Sequence, residues 1–146
     1  MSNVRPHTIH TTNPLPLCRS RPSLKPAEGS PHPMSSAQVP ACARVRLKPN
    51  SISRVREWAN HIQQHKAEAL QTLRAEGVSI ETVFLESTTE GDFLVYYMRA
   101  MSLAQAKLVA VQSMAAIDQY HKVFKRDSWA EVVKLELLLD LEQDAA

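Results

Sequence analysis

A histidine, a tryptophan, two tyrosines and a glutamate are the residues of this sequence most suited to chemistry at a shared site. His121 is the most informative of them, because in "AIDQYHKVF" (116–124) it stands where helical spacing favours an apolar residue. Imidazole titrates near neutral pH, so a histidine on a buried face can exchange protons or hold a ligand. The other candidates are Trp58, Tyr96, Tyr97 and Glu81.

Three interpretations of His121 stay open at this stage. It is a core histidine bonded to a strand backbone or a tyrosine hydroxyl, a contact to a ligand in an apolar pocket, or a general base or metal ligand. We expect no metal, because one histidine is fewer protein ligands than most metal sites use. No cofactor is expected either, although haem stays compatible since its iron needs only one protein ligand.

Several function classes lack their usual sequence signatures. Three glycines do not form a phosphate-binding loop, and the chain has no CxxC, GxSxG or HExxH motif. Cys18 and Cys42 lack metal-ligand spacing, which favours reduced thiols in a cytoplasmic protein. No apolar run approaches the ~20 residues of a membrane span, so no membrane partner is expected.

Residues 1–40 differ in composition from the rest of the chain. They hold eight of the nine prolines and no apolar periodicity, so we expect a disordered tail. Their basic residues account for the net charge of +2, which leaves a near-neutral domain over residues 41–146 and no case for nucleic acid. The composition break also suggests that translation starts at Met34, which would make residues 1–33 an over-extended reading frame.

Hydrophobic periodicity predicts six elements in residues 41–146. Alternation predicts the first and last strands, and β-branched and aromatic residues predict the two middle strands. Three- and four-residue steps predict the helices, and Gly91 marks a hairpin turn. The predicted ranges are a strand at 41–49, a helix at 51–77, strands at 78–87 and 91–101, a helix at 102–129 and a strand at 131–142.

This β-α-β-β-α-β order predicts a ferredoxin-like α+β fold, with two helices on one face of a four-stranded antiparallel sheet. His121 and Trp58 then lie at similar depth, about 8 Å and 10 Å from the same end of the two helices. Tyr96 or Tyr97 faces them from the third strand, and Glu81 lies lower in the same cleft. Several strands are apolar on both faces, so a second copy is expected to cover the free face as a homodimer.

Short motifs in the domain resemble a small, uncharacterised bacterial family. They are "RVRLKP", "VREWANHI", "LQTLRAEG", "SIETVF" and "HKVF", and the similarity spans about residues 42–142. The resemblance implies a dimeric α+β barrel, a type shared with antibiotic-biosynthesis monooxygenases, haem-degrading enzymes and sugar mutarotases. It implies no established activity, because one fold supports many functions.

The leading hypothesis is a module that binds a small apolar or aromatic ligand near His121 and Trp58. One alternative is a cofactor-independent monooxygenase or isomerase in which His121 is the acid or base. Another is a purely structural interaction domain. A pocket between the helices and the sheet favours the first two, and a closed interface favours the third.

Overall fold

The computed structural model describes residues 37–143, which form four strands and four helices. In chain order these are β1 (Val39–Leu47), α1 (Ile52–Gln64), α2 (Lys66–Glu76), β2 (Val78–Thr88), β3 (Gly91–Ala100), α3 (Leu103–Gln112), α4 (Ala116–Ser128) and β4 (Trp129–Lys134). The predicted tail up to residue 36, including the alternative start at Met34, lies outside the described residues. Val39 and Pro40, which the sequence assigned to the tail, belong to β1. Within residues 37–143, no helix is both long and apolar enough to cross a membrane.

The four strands form one antiparallel sheet in the order β2-β3-β1-β4. This confirms the predicted α+β class and the four-stranded antiparallel sheet. The predicted hairpin is confirmed as well, since β2 and β3 pair along their whole length up to the partners Thr88 and Gly91. Gly91 has φ 134°, a backbone conformation that residues with a Cβ rarely adopt.

The helices pack on one face of the sheet. Val45 and Leu94, which are register partners in the central strands, are buried against Val55 and Trp58 of α1 and Phe124 of α4. Alternation along β3 carries this face to Ala100, which packs against Ala106 of α3 and Leu73 of α2. All four helices therefore meet the same surface of the sheet.

The first predicted helix is wrong in one respect, because it is two helices that break at His65. His65 has φ −108° and ψ 32°, and its ring Nδ1–H donates to the His61 carbonyl at 2.9 Å. The backbone N–H of His65 donates to the same His61 carbonyl at 3.1 Å and to the Ile62 carbonyl at 3.2 Å. A side chain that competes for a backbone acceptor in this way loosens the helical ladder.

The second predicted helix is also two helices, separated by an extended segment at Ser113–Ala115. Ser113 has ψ 132°, and its carbonyl accepts hydrogen bonds from the side chains of Gln119 at 2.7 Å and Lys122 at 3.0 Å. The Ser113 hydroxyl bonds the Asp118 carboxylate in the first turn of α4. Side chains thus satisfy the backbone groups that a continuous helix would otherwise pair.

The last strand is shorter than the predicted range of 131–142. β4 ends at Lys134, and one further backbone bond joins the Leu135 N–H to the Cys42 carbonyl at 2.9 Å. Extending that register by two residues would place Leu137 opposite Pro40, which has no N–H to donate. The alternating leucines beyond this point therefore lack the ladder that the pattern predicts.

Phe124 is the most direct test of how α1 and α4 are held to the sheet. It is fully buried, and its ring stacks on Trp58 with the ring centroids 4.5 Å apart. We expect Phe124→Ala to lower the free energy of unfolding by about 3–5 kcal/mol in urea denaturation, because it leaves a cavity at this contact. The neighbouring Val123→Ala, on the exposed side of α4, should change it by less than about 0.5 kcal/mol. Equal effects of the two substitutions would contradict this packing.

Candidate functional site

A cleft of about 730 Å³ lies between the helices and the sheet. Its floor consists mainly of apolar side chains from the sheet, and one end carries charged groups. The floor includes Tyr96, Leu94 and Val83, and the helix side includes Trp58 of α1 and His121 of α4. Three of the predicted site residues, Trp58, Tyr96 and His121, thus meet in one region.

A hydrogen bond between Trp58 and His121 fixes the chemistry of the imidazole. The Trp58 Nε1–H donates to His121 Nδ1 at 3.0 Å, and the ring centroids are 5.5 Å apart. An indole nitrogen can only donate, so Nδ1 must accept with its lone pair. In the neutral ring the proton therefore sits on Nε2, and no group of residues 37–143 bonds that nitrogen.

The same environment keeps His121 uncharged. Burial lowers the pKa of His121 to about 4, and the positive charge of Lys125 acts in the same direction. At neutral pH the ring therefore offers an Nε2–H donor and no free lone pair. This arrangement suits a hydrogen bond to an acceptor and does not favour a general base. It does not fit a haem ligand either, because the iron would need an unprotonated Nε2.

Only one of the two candidate tyrosines faces the cleft. Tyr96 lies on the helix side of β3, with its ring centroid 6.3 Å from that of Trp58 and 6.4 Å from that of His121. Neighbouring strand residues point to opposite faces, so Tyr97 lies on the other side of the sheet and is not part of the cleft. Of the two tyrosines that the sequence left open, Tyr96 is therefore the one that lines this cleft.

Trp129 is a cleft residue that sequence analysis missed. The sequence placed it at the end of a helix, whereas it is the first residue of β4 and pairs with Leu47. The β1–β4 register shifts between Arg46 and Leu47, because β4 carries one extra residue there. Trp129 therefore lies on the helix side of the sheet, together with Val132. Simple alternation would have put Ala130 in that place, which is why periodicity gives no signal for it.

Two buried polar atoms of this region form no well-aligned hydrogen bond among the described residues. They are the Tyr96 hydroxyl and the Trp129 Nε1, whose rings meet edge to face with centroids 5.2 Å apart. Burial raises the pKa of Tyr96, and the negative charge of Glu81 adds to this, while a weak hydrogen bond from the Trp129 indole to the Tyr96 hydroxyl opposes it. That contact is too poorly aligned to satisfy either buried atom. Tyr96 is therefore a neutral hydroxyl at physiological pH.

Carboxylates and a lysine gather at the charged end of the cleft. Burial raises the pKa of Glu76 to about 7, and the negative charges of Asp118 and Glu81 act in the same direction. Glu81 keeps much of its surface in solvent, so it loses only part of its hydration. That partial loss still raises the pKa of Glu81. Burial lowers the pKa of Lys125, and Glu81 and Glu76 oppose that change. Glu81 is thus a cleft residue, and the charge that acts on it most strongly is that of Lys125.

A second stack of side chains ties α1 to α4 beside the cleft. The Tyr120 ring lies 3.8 Å from His61, between ring centroids, and its hydroxyl accepts a hydrogen bond from Arg54 at 2.9 Å. This contact holds Trp58 and His121 at a fixed separation, because both lie on the same two helices. In the described part of the chain, no three His, Cys, Asp or Glu side chains come together as a metal site requires.

The fold and the cleft define the class of this protein: an α+β domain with an apolar helix–sheet pocket that contains uncharged hydrogen-bond donors. Over residues 39–146 the sequence matches the family model described as "Family of unknown function (DUF6176)", and the chain belongs to this family. The family identification agrees with the resemblance to an uncharacterised family that the sequence motifs indicated.

A search of curated proteins finds no significant match. Among solved structures, the chain is similar to Rv0793 from Mycobacterium tuberculosis, with 19% sequence identity and a TM-score of 0.44. That alignment covers 73% of this chain and all of the other.

The low pKa of His121 makes a prediction for stability. The unfolded imidazole binds a proton near its ordinary pKa of 6.5, whereas the native ring does so only near 4. The free energy of unfolding should therefore fall as the pH falls from about 6.5 to about 4, by up to about 1.4 kcal/mol per pH unit from this residue. His121→Gln should lack that part of the slope in urea denaturation measured across this range.

Glu76 changes the pH dependence of stability in the opposite direction, so the test must compare two proteins that both contain it. Its raised pKa stabilises the native state fully below about 4.5, and this contribution is lost as the pH rises towards 7. Because both proteins keep Glu76, its effect cancels in the difference between them. Parallel pH profiles for the wild type and His121→Gln would contradict the buried, neutral imidazole.

Proposed function

We propose that this protein binds a small apolar ligand in the cleft between its helices and its sheet. The observation that carries the proposal is the cleft itself, whose volume of about 730 Å³ lies within the usual range for ligand pockets. Apolar walls supply most of the binding free energy in such pockets, and a few polar groups orient the ligand. Here the polar groups near the aromatic rings are Tyr96, Trp129 and His121.

The two alternative functions receive less support. An enzyme that used His121 as a base would need a free lone pair, and Trp58 already occupies the only one on the neutral ring. A purely structural domain would have a closed interface between helices and sheet, in contrast to the cleft described above. The ligand-binding proposal uses both features, because it needs space and fixed donors but no proton transfer.

A substitution at the mouth of the cleft tests the proposal. Ala59 is exposed and lines the cleft from α1, so Ala59→Trp adds an indole there without disturbing the core. We expect the neutral apolar dye N-phenyl-1-naphthylamine to bind the wild type saturably, with one site per chain in a fluorescence titration. Ala59→Trp should weaken this binding at least about tenfold, because the new ring fills the space of the dye.

Ala67→Trp is the matched control. Ala67 is also exposed, but it lies on α2 and does not line the cleft, so its substitution should leave dye binding unchanged. Absence of saturable binding in the wild type, or equal loss in both variants, would count against the cleft as the binding site.

We also propose that a second copy of the chain covers the sheet face opposite the helices, as a homodimer of the barrel type that the sequence resemblance implies. The support is apolar exposure on and beside that face. Val133 is 50% exposed, and Leu138, Leu139 and Leu141 are 72–86% exposed. A patch of this kind usually marks an interface, and a two-fold arrangement buries the same residues of both copies at once.

The charged residues of that face leave it suited to an apolar partner. Arg44 makes two hydrogen bonds to Glu86, at 3.0 and 3.1 Å, and its guanidinium covers the Phe93 ring at 3.5 Å. The Asp140 carboxylate accepts from Arg99 at 2.6 Å and ties the leucine-rich segment to the sheet. These charges are paired within the chain, so a second copy can pack against the remaining apolar surface.

Sedimentation velocity distinguishes a dimer from a monomer. We expect the wild type to sediment as a dimer at micromolar concentration and Val133→Asp to shift it to monomer, because a carboxylate would be buried at the interface. Val111→Asp, at a 65% exposed position of α3, should leave the dimer intact. A wild type that stays monomeric up to about 100 µM, well above typical dimer affinities, would refute the proposal.

A further inference from the structure

Three aromatic side chains at one end of the cleft form a triangle of hydrogen-bond donors. The ring centroids of Tyr96 and Trp129 are 5.2 Å apart, and each lies 6.4 Å from that of His121. The buried Tyr96 hydroxyl and the buried Trp129 Nε1 form no well-aligned hydrogen bond within residues 37–143, although the two groups interact weakly with each other. The half-buried His121 presents its Nε2, because its Nδ1 is bonded to Trp58. Buried groups such as those of Tyr96 and Trp129 normally form well-aligned hydrogen bonds, since an unpaired buried donor is costly.

The three groups share the same chemical character. An indole N–H is only a donor, the Nε2 of this histidine tautomer is only a donor, and a phenol hydroxyl can donate. We propose, on the basis of the ligand-binding function above, that this triangle receives the oxygen of an uncharged, flat carbonyl compound. Its apolar body would then extend along the sheet floor of the cleft.

The surrounding charges favour a neutral oxygen over a carboxylate. The Lys125 Nζ lies 5.3 Å from the centroid of the Trp129 ring, but Glu81 and Glu76 already interact with this lysine. Glu81 also acts on Tyr96, so a carboxylate in the triangle would meet a like charge nearby. Asp118 adds a third acid near the same lysine. A carbonyl oxygen accepts hydrogen bonds without this repulsion or the cost of burying an ion.

The shape of the site favours a flat body. Trp58 stacks on Phe124 with an interplanar angle of 7°, and its hydrogen bond to His121 prevents rotation of the indole. The sheet floor below is formed by side chains such as Leu94 and Val83. A planar molecule can lie along this floor with its oxygen directed at the triangle, whereas a bulky molecule would lose one of the two contacts.

Two ligands of the same shape separate the contribution of the carbonyl oxygen from that of the apolar ring system. 2-Acetylnaphthalene carries a carbonyl where 2-isopropenylnaphthalene carries a methylene group, and 2-naphthoate carries a charged carboxylate. We expect the wild type to bind the ketone at least about tenfold more tightly than the alkene, since the alkene leaves the donors unpaired. The ketone should also bind more tightly than the carboxylate in displacement of N-phenyl-1-naphthylamine.

Removing the donors should remove the preference. In Tyr96→Phe and Trp129→Phe, the ketone should lose most of its advantage, so that the ratio of ketone affinity to alkene affinity approaches one. Saturable binding of the alkene by each variant serves as its folding control. For wild-type protein alone, the ¹³C carbonyl resonance of labelled 2-acetylnaphthalene should lie downfield of its position in an apolar solvent, as in a hydrogen-bonded ketone.

The outcomes separate the two proposals. If the ketone and the alkene bind equally well, or if the carboxylate binds best, the donor triangle does not select a neutral carbonyl, but the cleft remains a binding site. A bound carbonyl resonance at its apolar-solvent position would overturn the inference in the same way. If none of the three compounds displaces the dye and the dye itself does not bind, the ligand-binding function fails and the inference fails with it.

Discussion

The hydrogen bond from Trp58 to His121 is the constraint on which the rest of the site depends. It joins α1 to α4 at 3.0 Å between nitrogen atoms. The direction of donation decides where the imidazole proton sits, and burial keeps the ring neutral. The same indole stacks on the buried Phe124, so core packing and the state of the histidine are set by one side chain. The geometry that stabilises the fold therefore also prepares the site.

The site is a region in which the protein gives up stability. An unpaired buried donor costs about 1–3 kcal/mol, and Tyr96 and Trp129 each contribute one. Exposed leucines at the end of the described chain carry a second cost, because apolar surface remains in water. Both features are explained if binding partners supply what the isolated chain lacks: an acceptor oxygen in the cleft, and a second copy on the opposite face of the sheet.

Much of the fold could be predicted from the sequence because its elements carry strong local signals. Alternation predicted the first strand, β-branched and aromatic residues predicted the next two, the apolar stripes predicted helical segments in the right places, and Gly91 predicted the hairpin. His121 could be placed beside Trp58 because both lie on these stripes at similar depth. The choice between Tyr96 and Tyr97 could not be made in advance, because a strand with apolar residues on both faces does not show which face the helices cover.

The remaining differences come from interactions that periodicity does not encode. The helix breaks at His65 and at Ser113 depend on side chains that compete for backbone groups, while the apolar spacing continues across both breaks. The position of Trp129 depends on an irregularity in the pairing of β4 with β1. β4 stops early because its next hydrogen-bonded partner on β1 would be Pro40, which has no N–H. The alternating leucines beyond β4 indicate only that one surface of that segment is apolar. Each of these depends on residues far apart in sequence or on a single backbone angle.

The central claim is that His121 is a neutral Nε2–H donor whose Nδ1 is occupied by Trp58. The most direct test is the ¹⁵N spectrum of the labelled protein at neutral pH, in which the two ring nitrogens of His121 can be told apart through their couplings to the carbon-bound ring protons. We expect a protonated, pyrrole-like Nε2 and an unprotonated, pyridine-like Nδ1. A proton on Nδ1, or two averaged nitrogen shifts typical of a ring exchanging freely with water, would contradict the account.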